Sequence, residues 1–292
     1  MTITKKAYAK INLYLDVMGK RPDGYHDIKS VMLQVSLHDT VTVSRDGGVG
    51  IHLELGQNDV DALPGGEENI AYRCADAFLR HYDLREGVSI SIEKHIPIAA
   101  GLGGGSADGG AVLTAMAELF ADTVPTDLDT LCAIGSTIGA DIPFCVVGGC
   151  AKTLGIGDRI TPLDYTTPCT ILVARDGSGV STPKAYGALD ALYGERLRED
   201  FGNFEGFLDS LRRNDPIPQY MRNTFEDVIL PNHPEATSLR ERIIAAGGVP
   251  LMSGSGPTVF GLFPDVTAAN HVYLALQAEG IESYLCHGVS RM

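Results

Sequence analysis

The stretch PIAAGLGGGSADGGAVL, Pro97 to Leu113, puts glycine at 101, 103, 104, 105, 109 and 110 and serine at 106, directly before an apolar run. Glycine loses more backbone freedom on folding than any other residue, so a stable helix or strand would not choose this composition. The chemistry it suits is anion binding. The first N–H groups of a helix lack intrahelical acceptors and its dipole end is positive, so a strand, a glycine loop and a helix start form a phosphate cradle. Absent Cβ atoms let the amides come close, and the Ser106 hydroxyl can add a contact. A plain turn is the other reading that the loop by itself allows.

Two familiar phosphate loops do not fit. A G-x-G-x-x-G dinucleotide fingerprint starting at Gly101 would need glycine where Ser106 stands, and no G-x-x-x-x-G-K-[ST] string occurs. Asp200-Phe201-Gly202 matches a protein-kinase tripeptide, but H-R-D, V-A-I-K and A-P-E are missing, so the match is chance.

The elements around the loop follow from periodicity. GVSISIEKHIP, with Val88, Ile90 and Ile92 alternating, predicts the strand that enters it, and a helix is predicted from about Ala107 to Phe120. VTVSRDGGVGIHLEL reads as two strands around a glycine turn. EENIAYRCADAFLRHY is an amphipathic helix, with Ile70, Cys74, Phe78 and Tyr82 at i+4 and Ala71, Ala75 and Leu79 beside them. Thr126, with Asp129 as capping-box partner, opens a further helix that Gly139 and Pro143 close. DIPFCVVGGCAKTLG then reads as strand and turn, and about Tyr186 to Arg222 as helical. The C-terminal order is helix, strand, helix, strand, an α+β layer with helices on one face of a sheet. Turn residues in GDRITPLDYTTP suggest a boundary near residue 160, dividing the chain into 1–160 and 161–292.

The chain has 292 residues, 44% of them hydrophobic, and a formal net charge of −14. That balance favours a folded, soluble protein and argues against nucleic-acid or anionic-membrane partners. It leaves room for a phosphorylated small molecule, since amides, a lysine or two and Mg²⁺ can hold phosphates. No run reaches the ~18 apolar residues of a membrane helix. The N-terminal apolar run is broken by Lys10, Asn12 and Asp16, unlike a signal peptide. The six cysteines form no CxxC pair or zinc-type cluster, which points to buried apolar thiols and a reducing cytoplasm.

PIAAGLGGGSADGG resembles the central motif of the galactokinase, homoserine, mevalonate and phosphomevalonate (GHMP) kinase superfamily, P-x-x-x-G-L-[GS]-[SG]-[SG]. AKINLYLDVMGKRPDGYHDIKSVM (Ala9 to Met32) resembles its N-terminal motif and LMSGSGPTVFGLF (Leu251 to Phe263) its C-terminal one, in the expected order. GKRPDGYHDI and GLGGGSAD, with ENIAYRCA, GADIPFC, GIGD, VSTPKAYGAL and RNTFEDVI, resemble one branch, the kinases of a cytidine diphosphate sugar alcohol in non-mevalonate isoprenoid biosynthesis. The resemblance implies an α+β, two-domain GHMP kinase fold. Its N-terminal domain would be ribosomal S5 domain 2-like, its C-terminal domain ferredoxin-like, with the active site in the cleft between them. It also implies transfer of the ATP γ-phosphoryl to a substrate 2-hydroxyl, with Mg²⁺ carried by the nucleotide. The alternatives are another GHMP small-molecule kinase, of mevalonate or homoserine type, and a non-catalytic nucleotide-binding module.

By the same resemblance, Asp141 takes or orients the hydroxyl proton and Lys10 is its partner. Without the family, Asp141 would be a solvated turn residue and Lys10 an exposed strand lysine near Lys5 and Lys6. Tyr25 and Tyr186 match positions that sandwich the cytosine, His26 one that bonds its edge, and Asn12 one that holds substrate near Lys10. Tyr186 alone would be a core aromatic, whereas Tyr25-His26 after RPDG sits in a turn, where exposed aromatics signal binding. The ATP cradle would be Pro97, Ile98, Ala99, Ala100, Gly101, Leu102, Gly103, Gly104, Gly105, Ser106 and Ala107, with Lys94 and Asn69 near the nucleotide. Ser253 to Thr258 is a second glycine turn, lining the site or merely leading into its strand. The family commonly has S-S-D-A-A where this chain has Ser106-Ala107-Asp108-Gly109-Gly110. Position 107 thus lacks a hydroxyl, and two glycines weaken a helix start by ~1 kcal/mol each.

Overall fold

The structure, a computed structural model, describes residues 1–56, 66–177, 179–198 and 202–291. Its strands are β1 (Thr2–Lys20), β2 (His26–Arg45), β3 (Ile51–Leu55), β4 (Val88–Glu93), β5 (Cys150–Gly155), β6 (Arg159–Leu163), β7 (Thr170–Arg175), β8 (Arg222–Asn223), β9 (Val249–Met252), β10 (Val259–Phe263) and β11 (Glu282–Cys286). Its helices are α1 (Ile70–His81), α2 (Gly104–Leu119), α3 (Leu128–Ser136), α4 (Ile142–Val147), α5 (Thr182–Tyr193), α6 (Phe204–Arg212), α7 (Glu226–Ile229), α8 (Pro234–Ala245) and α9 (Val266–Ala278). The fold is α+β.

Contacts divide the chain into two compact units. The first is Met1–Ala9, Leu37–Ile98 and Gly103–Gly148; the second is Lys10–Ser36, Ala99–Leu102 and Gly149–Met292. The position expected as a boundary, residue 160, lies in β6, which pairs antiparallel with β5 inside the second unit.

In the first unit β4 lies between β2 and β3, antiparallel to the former and parallel to the latter. The two strands read around the glycine turn are therefore not direct neighbours. Val88, Ile90 and Ile92 are buried on one face of β4, as the alternation predicts. α1 buries Ala71, Cys74, Ala75, Phe78 and Leu79, so its stripe runs one residue beside the one centred on Ile70 and Tyr82.

Three local expectations need correction here. α2 begins at Gly104, three residues before Ala107, inside the glycine run. The cap of α3 is Asp127, whose Oδ1 accepts from Thr130 N at 2.7 Å, while the Thr126 hydroxyl donates to Val124 O. The stretch read as a strand after Asp141 is helix α4. Pro143 in its first turn forfeits no intrahelical hydrogen bond, so it permits the helix rather than breaking one.

The two glycines that weaken α2 have a packing reason. A Cβ at Gly109 would lie 2.8 Å from Cys74 Sγ on α1, and one at Gly110 would lie 2.7 Å from Cys145 Cβ on α4. α2 is gripped on both sides at distances that only glycine allows.

The second unit contains the order β2-β1-β8, with β5 and β6 continuing beyond β2, and a separate four-stranded sheet β11-β7-β10-β9. Leu239 and Ile243 of α8 and Ala269, Val272 and Leu276 of α9 pack with Leu172, Val259 and Phe263 of that sheet, the predicted helix-on-sheet layer. The segment read as helical from Tyr186 forms the rest of α5, a 3₁₀ turn at Gly194–Arg198 and α6. Residues 199–201 of it lie outside the described residues, and with them Asp200 and Phe201 of the kinase-like tripeptide.

Candidate active site

Within the second unit, Lys10 and Asn12 stand two residues apart on β1 and so share a face. Lys10 Nζ donates to Asn12 Oδ1 at 2.8 Å. The lysine is only 5% exposed, which corrects the reading of an exposed strand lysine. Asn12 Oδ1 also accepts from Gly254 N at 3.0 Å, and its Nδ2 donates to Ser30 Oγ at 3.0 Å. Ser30 Oγ donates in turn to Tyr14 O at 2.6 Å. Both ends of the Asn12 amide are thus committed, and they aim the lysine.

The second glycine turn is built into this network. Ser253 Oγ donates to Gly101 O at 3.0 Å, and Lys10 N donates to Leu102 O at 2.9 Å. Asn223 Nδ2 donates to Met252 O and Gly254 O, at 2.7 and 2.8 Å. Gly101 has φ +74°, and a Cβ there would lie 2.4 Å from Ser253 O. Gly254 has φ +58°, in the left-handed region that side chains avoid. Ser30 and Asn223 were not anticipated, although Ser30 lies in the Ala9 to Met32 motif and Asn223 in RNTFEDVI: nothing local to either marks it as a hydrogen-bond partner of this network.

A cavity of about 380 Å³ in the same unit is lined by Tyr25, His26 and Tyr186, with Lys20, Thr182 and Asp190 among its other walls. Tyr25 is 60% exposed on a turn closed by Arg21 N donating to Tyr25 O at 2.7 Å. His26 is buried, its ring stacked on Tyr186 with centroids 4.5 Å apart and planes at 19°. Phe225 meets Tyr186 edge-on at 4.9 Å. Asp190 bonds His26 Nε2 at 2.8 Å and accepts from Lys20 Nζ at 3.0 Å. Burial works against its carboxylate, but hydrogen bonds from His26 and Lys20 outweigh that and hold its pKa below the usual value. Asp190 was missed, although it lies one helical turn after Tyr186 at i+4, the spacing that places two side chains on one face.

In the first unit, Gly103 caps α2 with φ +72°, and Gly104, Gly105 and Ser106 form its first turn. That turn presents the N–H groups the cradle requires. Ala99, ahead of it, also takes a left-handed φ of +54°. Ala107 is buried, so the position lacking a hydroxyl faces the interior. Asn69 caps α1, its Oδ1 accepting from Ala71 N at 2.9 Å. Lys94 is turned inward, its ammonium bonded to Asp39 and to Asp108. Asp141 is the N-cap residue of α4, with φ −83° and ψ −12°, and its carbonyl accepts from Cys145 N.

Similarity to known proteins spans the whole chain. The family model described as GHMP kinases N terminal domain matches residues 69–149, and GHMP kinases C terminal matches 196–282. A 4-diphosphocytidyl-2-C-methyl-D-erythritol kinase of Exiguobacterium sibiricum is 40% identical over 289 residues, 98% of this chain and 97% of that one. A crystal structure of 4-(cytidine 5'-diphospho)-2C-methyl-D-erythritol kinase superposes with TM-score 0.79 at 35% identity, covering 99% of this chain and all of that one. A homoserine kinase from Cytophaga hutchinsonii superposes at TM-score 0.72 with 18% identity, over 99% of this chain and 95% of that one, a likeness of fold alone.

Proposed function

The chain belongs to the GHMP kinases, on the branch of the 4-diphosphocytidyl-2-C-methyl-D-erythritol kinases, and on that premise we propose that it moves the γ-phosphoryl of ATP to the 2-hydroxyl of 4-diphosphocytidyl-2-C-methyl-D-erythritol, within non-mevalonate isoprenoid precursor biosynthesis. From the geometry, one observation carries the reading: the three residues that the family resemblance assigns to a cytosine, Tyr25, His26 and Tyr186, line a single cavity. A flat base needs apolar faces with polar groups at its rim, and Lys20, Thr182 and Asp190 supply the rim.

The roles follow from what phosphoryl transfer demands, an aligned hydroxyl and a neutralised γ-phosphate. Asp141 accepts or orients the proton of the 2-hydroxyl oxygen. Lys10, held by Asn12, places positive charge where the transferring phosphoryl group develops negative charge. The amides at the start of α2 and the Ser106 hydroxyl bind the ATP phosphates. In sequence order 1–160 would carry the N-terminal kinase domain and 161–292 the C-terminal one; the matches at 69–149 and 196–282 support that order, while β6 runs across the boundary itself.

Mg²⁺ enters with the nucleotide. Among the described residues no three His, Cys, Asp or Glu side chains gather as metal ligands. Bound with the nucleotide, Mg²⁺ would be held mainly by phosphate oxygens and water, its usual manner. When bound, it neutralises phosphate charge. No helix among the described residues is long and apolar enough to cross a membrane. The reading puts the reaction in the cytoplasm, supported by six cysteines none of which is in a disulfide.

The test is a panel of alcohols with ATP and Mg²⁺. Phosphorylation of the cytidine diphosphate compound, and not of mevalonate or homoserine, is the expected result. Turnover of mevalonate alone overturns it.

A further inference from the structure

We infer that a buried bridge of Asp39, Lys94 and Asp108 holds the glycine loop in shape from both of its ends, and that Lys94 is a positioning residue and not a nucleotide contact. The inference rests on the reading of that loop as the ATP cradle.

Lys94 has a side chain 5% exposed, and its ammonium donates to Asp39 and, at 2.7 Å, to Asp108 Oδ2. Asp39 Oδ1 accepts in addition from His95 N at 2.5 Å and from Ile96 N at 2.8 Å. One carboxylate on β2 therefore fixes the three residues that lead into Pro97. Asp108 belongs to the second turn of α2, which leaves the loop. A Cβ at Gly104 would lie 3.1 Å from Ile96 Cγ2 and 3.4 Å from Lys94 Nζ, so the first residue of α2 passes directly over the lysine. The entry and the exit of the loop thus rest on one cluster.

The charges explain why all three residues are needed. A cation under a helix N-terminus opposes the helix dipole. Two carboxylates offset it. Burial pushes the Asp108 carboxyl up, Lys94 opposes this and Asp39 adds to it, leaving its pKa at about 7. Burial works against the Lys94 ammonium too, but Asp108 and Asp39 outweigh that and raise its pKa. Asp108 Oδ1 is buried without a hydrogen-bond partner. Apolar residues would fill such a site at less cost, so the bridge is retained for placement. Two of the three ammonium N–H groups are taken by the carboxylates, and the Lys94 side chain is 5% exposed, so it has little means of reaching a nucleotide from this position.

Three variants test this in the full chain, with melting curves to establish folding. Amide hydrogen exchange over residues 97–107 is followed in the free protein, and ATP and adenosine binding by calorimetry. Asp108→Ala is expected to speed exchange at Gly103 to Ser106 and weaken ATP binding, each about tenfold, with adenosine binding unchanged. Asp108→Asn, whose Oδ1 can still accept from Lys94, is expected to stay within about threefold of wild type. Wild-type exchange and ATP affinity in folded Asp108→Ala would overturn the inference. So would equal losses of adenosine and ATP binding in Lys94→Met with Asp108→Ala unaffected, the signature of a direct contact. If Lys94→Met does not fold, the two Asp108 variants decide. A wild-type protein that binds ATP but leaves the cytidine diphosphate alcohol untouched overturns the functional reading, and the exchange result still decides the bridge.

Discussion

The backbone N–H of Gly254 donates to Asn12 Oδ1 at 3.0 Å, joining positions 242 apart in the chain. The same oxygen accepts from Lys10 Nζ, so the turn and the lysine share one acceptor. A Cβ at Gly254 would lie 3.0 Å from Gly101 O and 3.4 Å from Lys10 Nζ, on a backbone at φ +58°. Gly254→Ala is expected to lower kcat roughly 10- to 100-fold by displacing the lysine, a misplacement effect. Steady-state kinetics measures it, and an unchanged kcat would show that this packing does not set the position of Lys10.

Asp141→Asn keeps the size of the side chain and removes its basicity. The expected loss of kcat is about 10²- to 10⁴-fold, the range for a positioned acid or base, with ATP affinity kept. Pre-steady-state kinetics and ATP titration separate the two. Undiminished turnover would remove Asp141 from the mechanism.

Tyr25→Ala should raise KM for the cytidine diphosphate substrate about 5- to 100-fold, the equivalent of ~1–3 kcal/mol of base stacking, and leave KM for ATP alone. Because the ring is largely exposed, the melting temperature should barely move. A rise in KM for ATP instead would disprove the stacking role.

For Gly110→Ala, helix propensity and packing predict opposite signs. Propensity favours alanine by ~1 kcal/mol. Packing opposes it, since the new Cβ would lie 2.7 Å from Cys145 Cβ and 3.0 Å from the Cys145 carbonyl carbon. Backbone there cannot swing aside, and overpacking costs ~1–3 kcal/mol, so the variant should melt lower than wild type. A higher melting temperature would show that propensity decides.

Stability should respond to pH through Asp108. The charged groups facing it are Lys94 and Asp39. The folded pKa of about 7 stands above the ordinary 3.8. Between these values the native state holds a proton that the unfolded chain has released. This contribution is therefore full below the unfolded value and is lost as pH rises through about 7. Asp108→Asn should flatten that decline in urea midpoints taken between about pH 5 and about pH 8. An identical slope in the variant would place the titration elsewhere.

Much of the fold was legible because period and turn chemistry are local. α1, α9, β4 and the C-terminal layer all follow from apolar spacing. The errors share a cause, which is tertiary packing overriding local preference. Gly104, Gly109 and Gly110 predict a late helix start, yet α2 forms through them, and Ile96 beside Gly104, α1 beside Gly109 and α4 beside Gly110 come too close for side chains. DIPFCVV has strand-like composition, yet Pro143 and its neighbours form α4. At the site, Lys10, Asn12 and Tyr25 stood inside recognisable motifs. Ser30 and Asn223 stood inside such motifs too, but, like Asp39 outside them, they were not singled out, because what matters about each is a hydrogen bond to a residue distant in sequence.

The close grip on α2 also bears on when the protein acquires its function during folding. A segment beginning Gly-Gly-Ser-Ala-Asp-Gly-Gly is a poor helix nucleus in isolation, since each early residue must be ordered for little return. It becomes helical when α1 and α4 are already present to receive it. On the proposed reading of the loop, nucleotide binding is expected late in folding: α2 needs α4, which ends at residue 147, and Gly101 of the loop is packed against Ser253.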